Sequence, residues 1–515
     1  MIDRREFIAA LGALGLLATA PNARTQPNPK FSAYPFSLGV ASGYPSSDGF
    51  VLWTRLAPAP DEPRGGLAPE AIPVRWEVAG DESMRDIVAS GEELAQPDWA
   101  HSVHIEVRGL QPARQYWYRF TSGDAASPTG RTRTAPAAGA AVARLRCILA
   151  SCQHYEQGYF GAYRHALRDD PDLVIFVGDY IYEQSFNPGV RSHGMPKSIT
   201  LDDFRRRYAL YKRDPDLMAL HAAVPWLLTW DDHEFENDYA NDHSLIRSEA
   251  PERFLARRAG AYKAYYEHQP LRRSMRPEGP DALIYTEVPW GQLAQINMLD
   301  GRQYRTPQPC QRADRGGGNY LVNCAERLEP AATMLGFTQE AWLDRSLAAS
   351  RSRWNLIAQE TLFSQLDLSM GETQTFWTDA WDGYPAARKR LLASLQKNSI
   401  SNPVIMGGDS HMFWVSEIPL DADNPNSPIV ATDLAVTSIT SRTLVPSWAL
   451  GALLNENPHI KYANTQYRGY MRITVTPEKL LADLRGMESV ESRDARCETI
   501  ASFAVEDGRP GLKKL

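Results

Sequence analysis

An excess of positive charge is missing from this sequence. Its 515 residues carry 55 Lys and Arg against 62 Asp and Glu, a formal net charge of -7. That is not the basic footprint of a general nucleic-acid binder, so no stable nucleic-acid partner is expected. A small anionic substrate stays open, because a bound cation can outweigh a weakly acidic surface locally. Long apolar runs are also missing. Beyond the N-terminus no stretch reaches about 18 uninterrupted apolar residues, so no transmembrane helix is expected. There is no internal repeat, no low-complexity block and no His-Glu-x-x-His of a zinc peptidase. What remains is ordinary for a soluble globular protein, 43% hydrophobic and 23% charged, and long enough for two or more domains.

The N-terminus reads as an export signal. Arg4-Arg5 precedes Ala9 to Ala20, a run that is apolar or small throughout. A paired arginine before a short apolar region suggests a twin-arginine signal; a general secretory signal with an incidental arginine pair is the alternative. Ala18-Thr19-Ala20 has the form of a cleavage site, although Pro21 follows it. We expect residues 1–30 to be a leader, the twin-arginine export machinery to be a partner, and the mature protein to be a periplasmic or secreted monomer. Cysteine is sparse: Cys147, Cys152, Cys310, Cys324 and Cys497 are five, so at least one has no intrachain partner. In an oxidising compartment a free thiol must be buried or ligated. Cys310 and Cys324 flank the Gly-rich Arg315 to Asn319 and are a candidate disulfide, worth about 3 kcal/mol by chain entropy; two unpaired thiols are the alternative.

Two regions differ in pattern. Over residues 31–140 short alternating runs such as Phe50 to Arg55, Val74 to Val78 and His104 to Val107 are separated by Pro, Gly and Asp, the mark of an all-β module. Leu110 to Phe120 resembles the tyrosine corner and following strand of a fibronectin-like sandwich. The small residues Thr134 to Ala141 suit a boundary. Over residues 141–515 continuous apolar runs alternate with helical stretches, for example Phe254 to Tyr266 and Ala386 to Leu395. That predicts an α/β domain with sheets covered on both faces.

Chemistry-bearing residues gather where apolar strands end, the usual place for ligand sites in such folds. Cys152 ends the first strand in Ser151-Cys152-Gln153-His154; alone it reads equally as an inert buried thiol. Gly178-Asp179-Tyr180-Ile181-Tyr182 ends the next. The two oxygens of Asp179 can bridge two cations. Tyr182 points towards iron(III), since a phenol binds well only where a strongly acidic cation displaces its proton. Trp230 to Asp238 is dense in carboxylates around His233. Burying such a group without counter-cations would be costly, and the imidazole suits a metal or acid-base role. In Gly407-Gly408-Asp409-Ser410-His411 the paired glycines allow close backbone approach, and Asp409 and His411 have the spacing of two ligands in one loop.

Together these segments, with Leu299 to Arg305 and Trp381 to Pro385, resemble the alkaline phosphatase D (PhoD-like) family of the calcineurin-like metallophosphatases over nearly the whole mature chain. The resemblance implies a metallophosphatase αββα sandwich behind an N-terminal fibronectin-like β-sandwich domain. It implies Cys152, Asp179, Tyr182 and His411 on iron(III), with Asp179 bridging, and Asp232 and Asp409 on the second cation. Gln359 follows the strand where the superfamily has another second-site ligand. His233 takes the substrate-facing position. Relative to the superfamily the second site exchanges imidazoles for oxygen donors, which suits calcium better than zinc, and the family is known for an iron(III)-calcium centre. Asn237 and Asp238 could complete the calcium shell. Arg302 could grip phosphate or form a structural ion pair.

The implied activity is hydrolysis of phosphate monoesters, and diesters too, by attack of a metal-bound hydroxide on phosphorus, without a phosphoenzyme. Two rivals stand beside it: a phosphodiesterase, including a phospholipase D-like activity, and a secreted binding protein whose metal site is only structural.

Overall fold

In a computed structural model of the chain, residues 29–443 and 445–515 are described. The expected export signal, with Arg4-Arg5 and the run Ala9 to Ala20, lies outside them. Three apolar runs, Leu145–Ala150, Leu173–Val177 and Pro225–Thr229, lie parallel and adjacent in the middle of a ten-stranded sheet. Every residue of the latter two is buried, as expected for strands covered on both faces. Phe176 pairs with Ala150 and Val177 with Thr229, so the strands end together and their following loops emerge side by side. Arg468–Val475 runs antiparallel to Leu145–Ala150. Lys479–Met487, Cys497–Glu506 and Arg509–Lys514 continue outward from it, so the strands after Gly469 complete this sheet.

A second sheet of seven strands has Ala294–Met298, Trp354–Ala358, Pro403–Gly407 and Ile429–Ala435 as its parallel middle. The two sheets share one apolar core, in which Ile148, Phe176 and Leu228 belong to the first and Ile296, Leu356 and Met406 to the second. The expected helices form at Pro251–His268 and Pro385–Lys397, each with proline in its first turn, where a missing N–H costs nothing. Leu201–Lys212 begins with a reciprocal Thr200–Asp203 capping box. The architecture is mixed α/β. Among the described residues no helix is long and apolar enough to cross a membrane.

The N-terminal strands are less separate than their sequence pattern suggests. Val40–Ser46 lies parallel to Pro225–Thr229, with Ser42 opposite Pro225. Gly49–Arg55 and Ser102–Val107 pair onward from it, so these strands extend the large sheet. A smaller sheet containing Ile72–Ala79, Ile87–Ala95 and Gln115–Ser122 covers them: Leu52 and Ile105 meet Val78 and Tyr118 in one core. The Tyr116 hydroxyl accepts the Gln111 N–H at 2.9 Å, the backward contact of a tyrosine corner. Period-two alternation marks a strand but not its neighbour, so the sequence did not show which sheet these strands join.

Candidate metal centre

The loops following Leu145–Ala150, Leu173–Val177, Pro225–Thr229 and Pro403–Gly407 meet at one edge of the two sheets. With Asp379, which follows the short strand Thr375–Trp377, they present three linked groups of ligand-type side chains. Cys152, Asp179 and His411 bring ligand atoms within 4.8 Å of one another, as do Asp179, Asp232 and His233, and Asp232, Asp238 and Asp379. Asp179 belongs to the first two groups and Asp232 to the last two. A carboxylate shared in this way is placed to bridge.

The backbone is bent to present these residues. Cys152, Asp179, Asp238, Asp409 and His411 have φ of 57°, 59°, 54°, 60° and 55°. The left-handed region disfavours side chains, at a cost of about 1–3 kcal/mol each, and such strain collects at functional sites. Glycines make the close approaches. Gly178 has φ +94°, and a Cβ there would lie 2.4 Å from the Asp231 Cβ; one on Gly408 would lie 2.4 Å from the Ser151 Oγ. Glu234 ties the loops together, accepting from the backbone N–H of Asp179 at 3.1 Å, Tyr180 at 2.5 Å and Asp231 at 2.9 Å.

Each side chain is held in turn. The Tyr182 hydroxyl lies 2.8 Å from Asp179 Oδ2 and 3.1 Å from His411 Nε2, and Ser441 Oγ lies 2.7 Å from it. His411 Nδ1 sits 2.9 Å from the Arg442 carbonyl. Its N–H donates there, which leaves the Nε2 lone pair facing Tyr182 and Asp179. His233 Nδ1 lies 2.7 Å from Glu183 Oε2, leaving Nε2 as its second nitrogen. Asp232 Oδ2 accepts the Asp238 N–H at 2.7 Å.

The residues fit cations. Buried oxygens Asp179 Oδ1 and Asp232 Oδ1 have no hydrogen-bond partner, a state that a coordinated ion would relieve. Burial and the charge of Asp179 push the Cys152 thiol and the Tyr182 phenol far up. A thiolate and a phenolate here therefore require a strong positive charge beside them. Burial, then Asp379 and Asp232, push Asp238 up to about 7. Burial opposes the charged form of His233, but Asp232, Glu183 and Asp179 outweigh it and raise its pKa well above the usual imidazole range.

Asp409, His411, Asn237 and Asp238 line one cavity of about 270 Å³ together with Asp232 and His233. Two expected residues are placed otherwise. Gln359 is buried. Its Oε1 accepts from the Thr361 N–H and the Trp381 indole, both at 3.0 Å, and its Nε2 donates to the Thr361 carbonyl. Both lone pairs of the amide oxygen are taken, so none is free for a cation. Arg302 is fully buried, with Nε 2.5 Å from Asp231 Oδ1 and Nη2 2.8 Å from Asp379 Oδ2. It is a counter-cation behind the acidic loops rather than a group free to reach phosphate. Sequence reasoning missed Asp379, Glu183, Glu234 and Ser441. Only Glu234 carried a signal, as an acid directly after the candidate residues Asp232 and His233. Cys310 and Cys324, the expected pair, are disulfide-bonded.

Comparison with known proteins agrees with this geometry. A family model described as PhoD-like phosphatase matches residues 147–484, and one described as PhoD-like phosphatase, N-terminal domain, matches residues 19–136. The chain is 44% identical to alkaline phosphatase D of Bacillus subtilis (strain 168) over 528 residues, covering 100% of this chain and 89% of that protein. A solved structure described as the structure of PhoD matches with a TM-score of 0.90 at 44% identity, covering 95% of this chain and 93% of the other. With its linked ligand groups at the strand ends and these matches along its length, the chain belongs to the PhoD-like phosphatase family and is a phosphoric ester hydrolase.

Proposed function

We propose that the chain hydrolyses phosphate monoesters and diesters at a dinuclear centre of iron(III) and calcium. The observation that carries this is the position of Asp179, shared between the Cys152–His411 group and the Asp232–His233 group. Cys152, Tyr182 and His411 would hold iron, and Asp232, Asp409, Asn237 and Asp238 calcium, with the Asp179 carboxylate shared between them. Tyr182 and the thiolate favour the more acidic cation, and the all-oxygen set favours calcium. Bound there, the cations supply charge neutralisation for the phosphate and an acidified water as nucleophile.

The chain's own residues do the rest. Glu183 takes the Nδ1 proton of His233 as a hydrogen bond, which fixes the ring and leaves Nε2 to donate to a phosphoryl oxygen or to the departing alkoxide. Arg302, with Asp231 and Asp379, keeps the acidic loops in register. No side chain needs to form a covalent phosphoenzyme. We read residues 1–30 as a twin-arginine signal, residues 31–140 and 141–515 as two domains, the latter an αββα sandwich, and the mature protein as a monomer outside the cytoplasm.

The test is the metal content of the purified protein by elemental mass spectrometry, beside hydrolysis of p-nitrophenyl phosphate and bis-p-nitrophenyl phosphate. Iron near one per chain, bound calcium and turnover are expected. Absence of stoichiometric iron, with no turnover after metal reconstitution, would overturn the proposal.

A further inference from the structure

The cavity that holds the candidate ligands is also lined by two aromatic side chains that are not themselves candidate ligands. Tyr320–Val322 and Thr375–Trp377 form a two-stranded antiparallel ribbon in which Tyr320 stands directly opposite Trp377. Directly paired residues project from the same face of a ribbon. Their rings lie 4.5 Å apart between centroids, and both line the cavity that holds Asp232, His233 and Asp409. Tyr320 is nevertheless 61% exposed, so its ring is not there to fill a core. Leu362, Leu366, Met412 and Val445 line the same cavity, which therefore combines charged groups with apolar walls. The ribbon is indexed to the acidic cluster: the Gly318 N–H donates to Asp238 Oδ2 at 3.1 Å. Gly318 has no room for a side chain, since a Cβ there would lie 2.6 Å from the Trp377 indole. The Cys310–Cys324 disulfide closes the loop that carries Gly318 and Tyr320.

The geometry points to the Tyr320–Trp377 pair as the subsite for the alcohol portion of the substrate, selecting phosphate esters whose alcohol presents a flat, apolar ring face. Aromatic surfaces bind such faces by offset stacking and by the area they remove from water. The inference rests on the phosphoesterase reading and deepens it: the metal site takes the phosphate, and the aromatic pair decides which ester is cut.

The test uses the full-length, metal-loaded protein and compares 2-phenylethyl with ethyl esters, each as the monoester and as the methyl diester. The two alcohols are alike as leaving groups but only one carries a ring. The wild type is expected to show kcat/KM about tenfold higher for the phenylethyl ester of whichever class it cleaves. In Tyr320→Ala that ratio should fall towards one, and in Tyr320→Phe, which keeps the ring, it should persist. An unaltered thermal midpoint in Tyr320→Ala excludes loss of fold as the cause. A wild-type ratio near one, or a high ratio that survives in Tyr320→Ala, overturns the subsite while leaving the phosphoesterase intact. Failure to cleave any of the four esters or the p-nitrophenyl esters overturns both.

Discussion

Glu183 Oε2 and His233 Nδ1 lie 2.7 Å apart, joining side chains 50 residues apart in the chain. Glu183 is fully buried, and its other oxygen has no partner. The pair occupies Nδ1, so the Nε2–H is the proton His233 can give. Glu183→Gln keeps the shape but removes one of the negative charges that outweigh burial and hold the ring doubly protonated, so fewer His233 rings carry an Nε2–H to donate. We expect kcat to fall about 10- to 100-fold with little change in KM, the scale seen when the partner of a ligand or catalytic histidine is lost. Steady-state kinetics on p-nitrophenyl esters checks it; an unchanged kcat would remove Glu183 from the mechanism.

Tyr182→Phe removes the phenol oxygen that lies between Asp179 and His411. If that oxygen binds iron(III), the visible tyrosinate-to-iron absorption of the purified protein disappears in the variant. Persistence of the colour would mean the ligand is another residue.

Calcium removal separates the two halves of the centre. Chelation is expected to abolish hydrolysis while largely sparing the visible band, because the proposed calcium ligands are all oxygen donors and would hold the more exchangeable cation. Activity and absorbance followed in the same titration give the answer, and full activity in excess chelator would argue against an exchangeable calcium.

Gly178→Ala tests the backbone. The position has φ +94°, and the new Cβ would meet Asp231 at 2.4 Å. Loss of about 1–3 kcal/mol of stability is expected, read as a lower denaturant midpoint. A neutral substitution would show that the loop relaxes freely.

Asp433 lies within the second sheet, away from the proposed ligands, and accepts the N–H of Phe363 at 3.2 Å and of Ser364 at 2.9 Å through one oxygen. Burial pushes its pKa up to about 7, although those two amides and Arg388 pull it down. A carboxyl raised in the folded state contributes stability that is fully present below its unfolded pKa of about 4, and that is lost as pH rises through about 7. Asp433→Asn keeps an acceptor for both amides and cannot ionise. Relative to the parent it should therefore gain stability as pH rises from about 5 to about 8, by a few kcal/mol, because a tenfold change in proton affinity is worth about 1.4 kcal/mol. Urea midpoints of both proteins at the two pH values measure this. A constant difference would mean Asp433 is not protonated in the fold at the lower pH.

The residues legible in the sequence share one circumstance. Cys152, Asp179, Asp232, His233, Asp409 and His411 follow largely apolar strands, so the run of hydrophobic residues marks where a strand ends and a ligand loop begins. Asp379 follows the short ribbon strand Thr375–Trp377, with no such run to announce it. Gln359 does follow an apolar strand, yet position alone does not tell whether an amide faces a cation or its own neighbours. Arg302 was recognisable as a charge near phosphate chemistry, but its burial among Asp231 and Asp379 depends on contacts from distant segments. Strand pairing was hidden for the same reason: Ser42 and Pro225 are neighbours only in space.

That pairing bears on how the chain assembles. In the ten-stranded sheet, neighbours come from residues 40–46, 225–229, 173–177, 145–150 and 468–475 in turn. A ribosome releases the first of these long before its partner and still longer before the antiparallel edge exists. Contacts so distant along the chain close slowly, because loop entropy must be overcome before the pairing repays it. Three of the four ligand loops follow strands in the middle of this sheet and the fourth follows Pro403–Gly407 of the other, so the site is assembled only when both sheets are in place. A complete set of candidate ligands is thereby expected only near the end of synthesis.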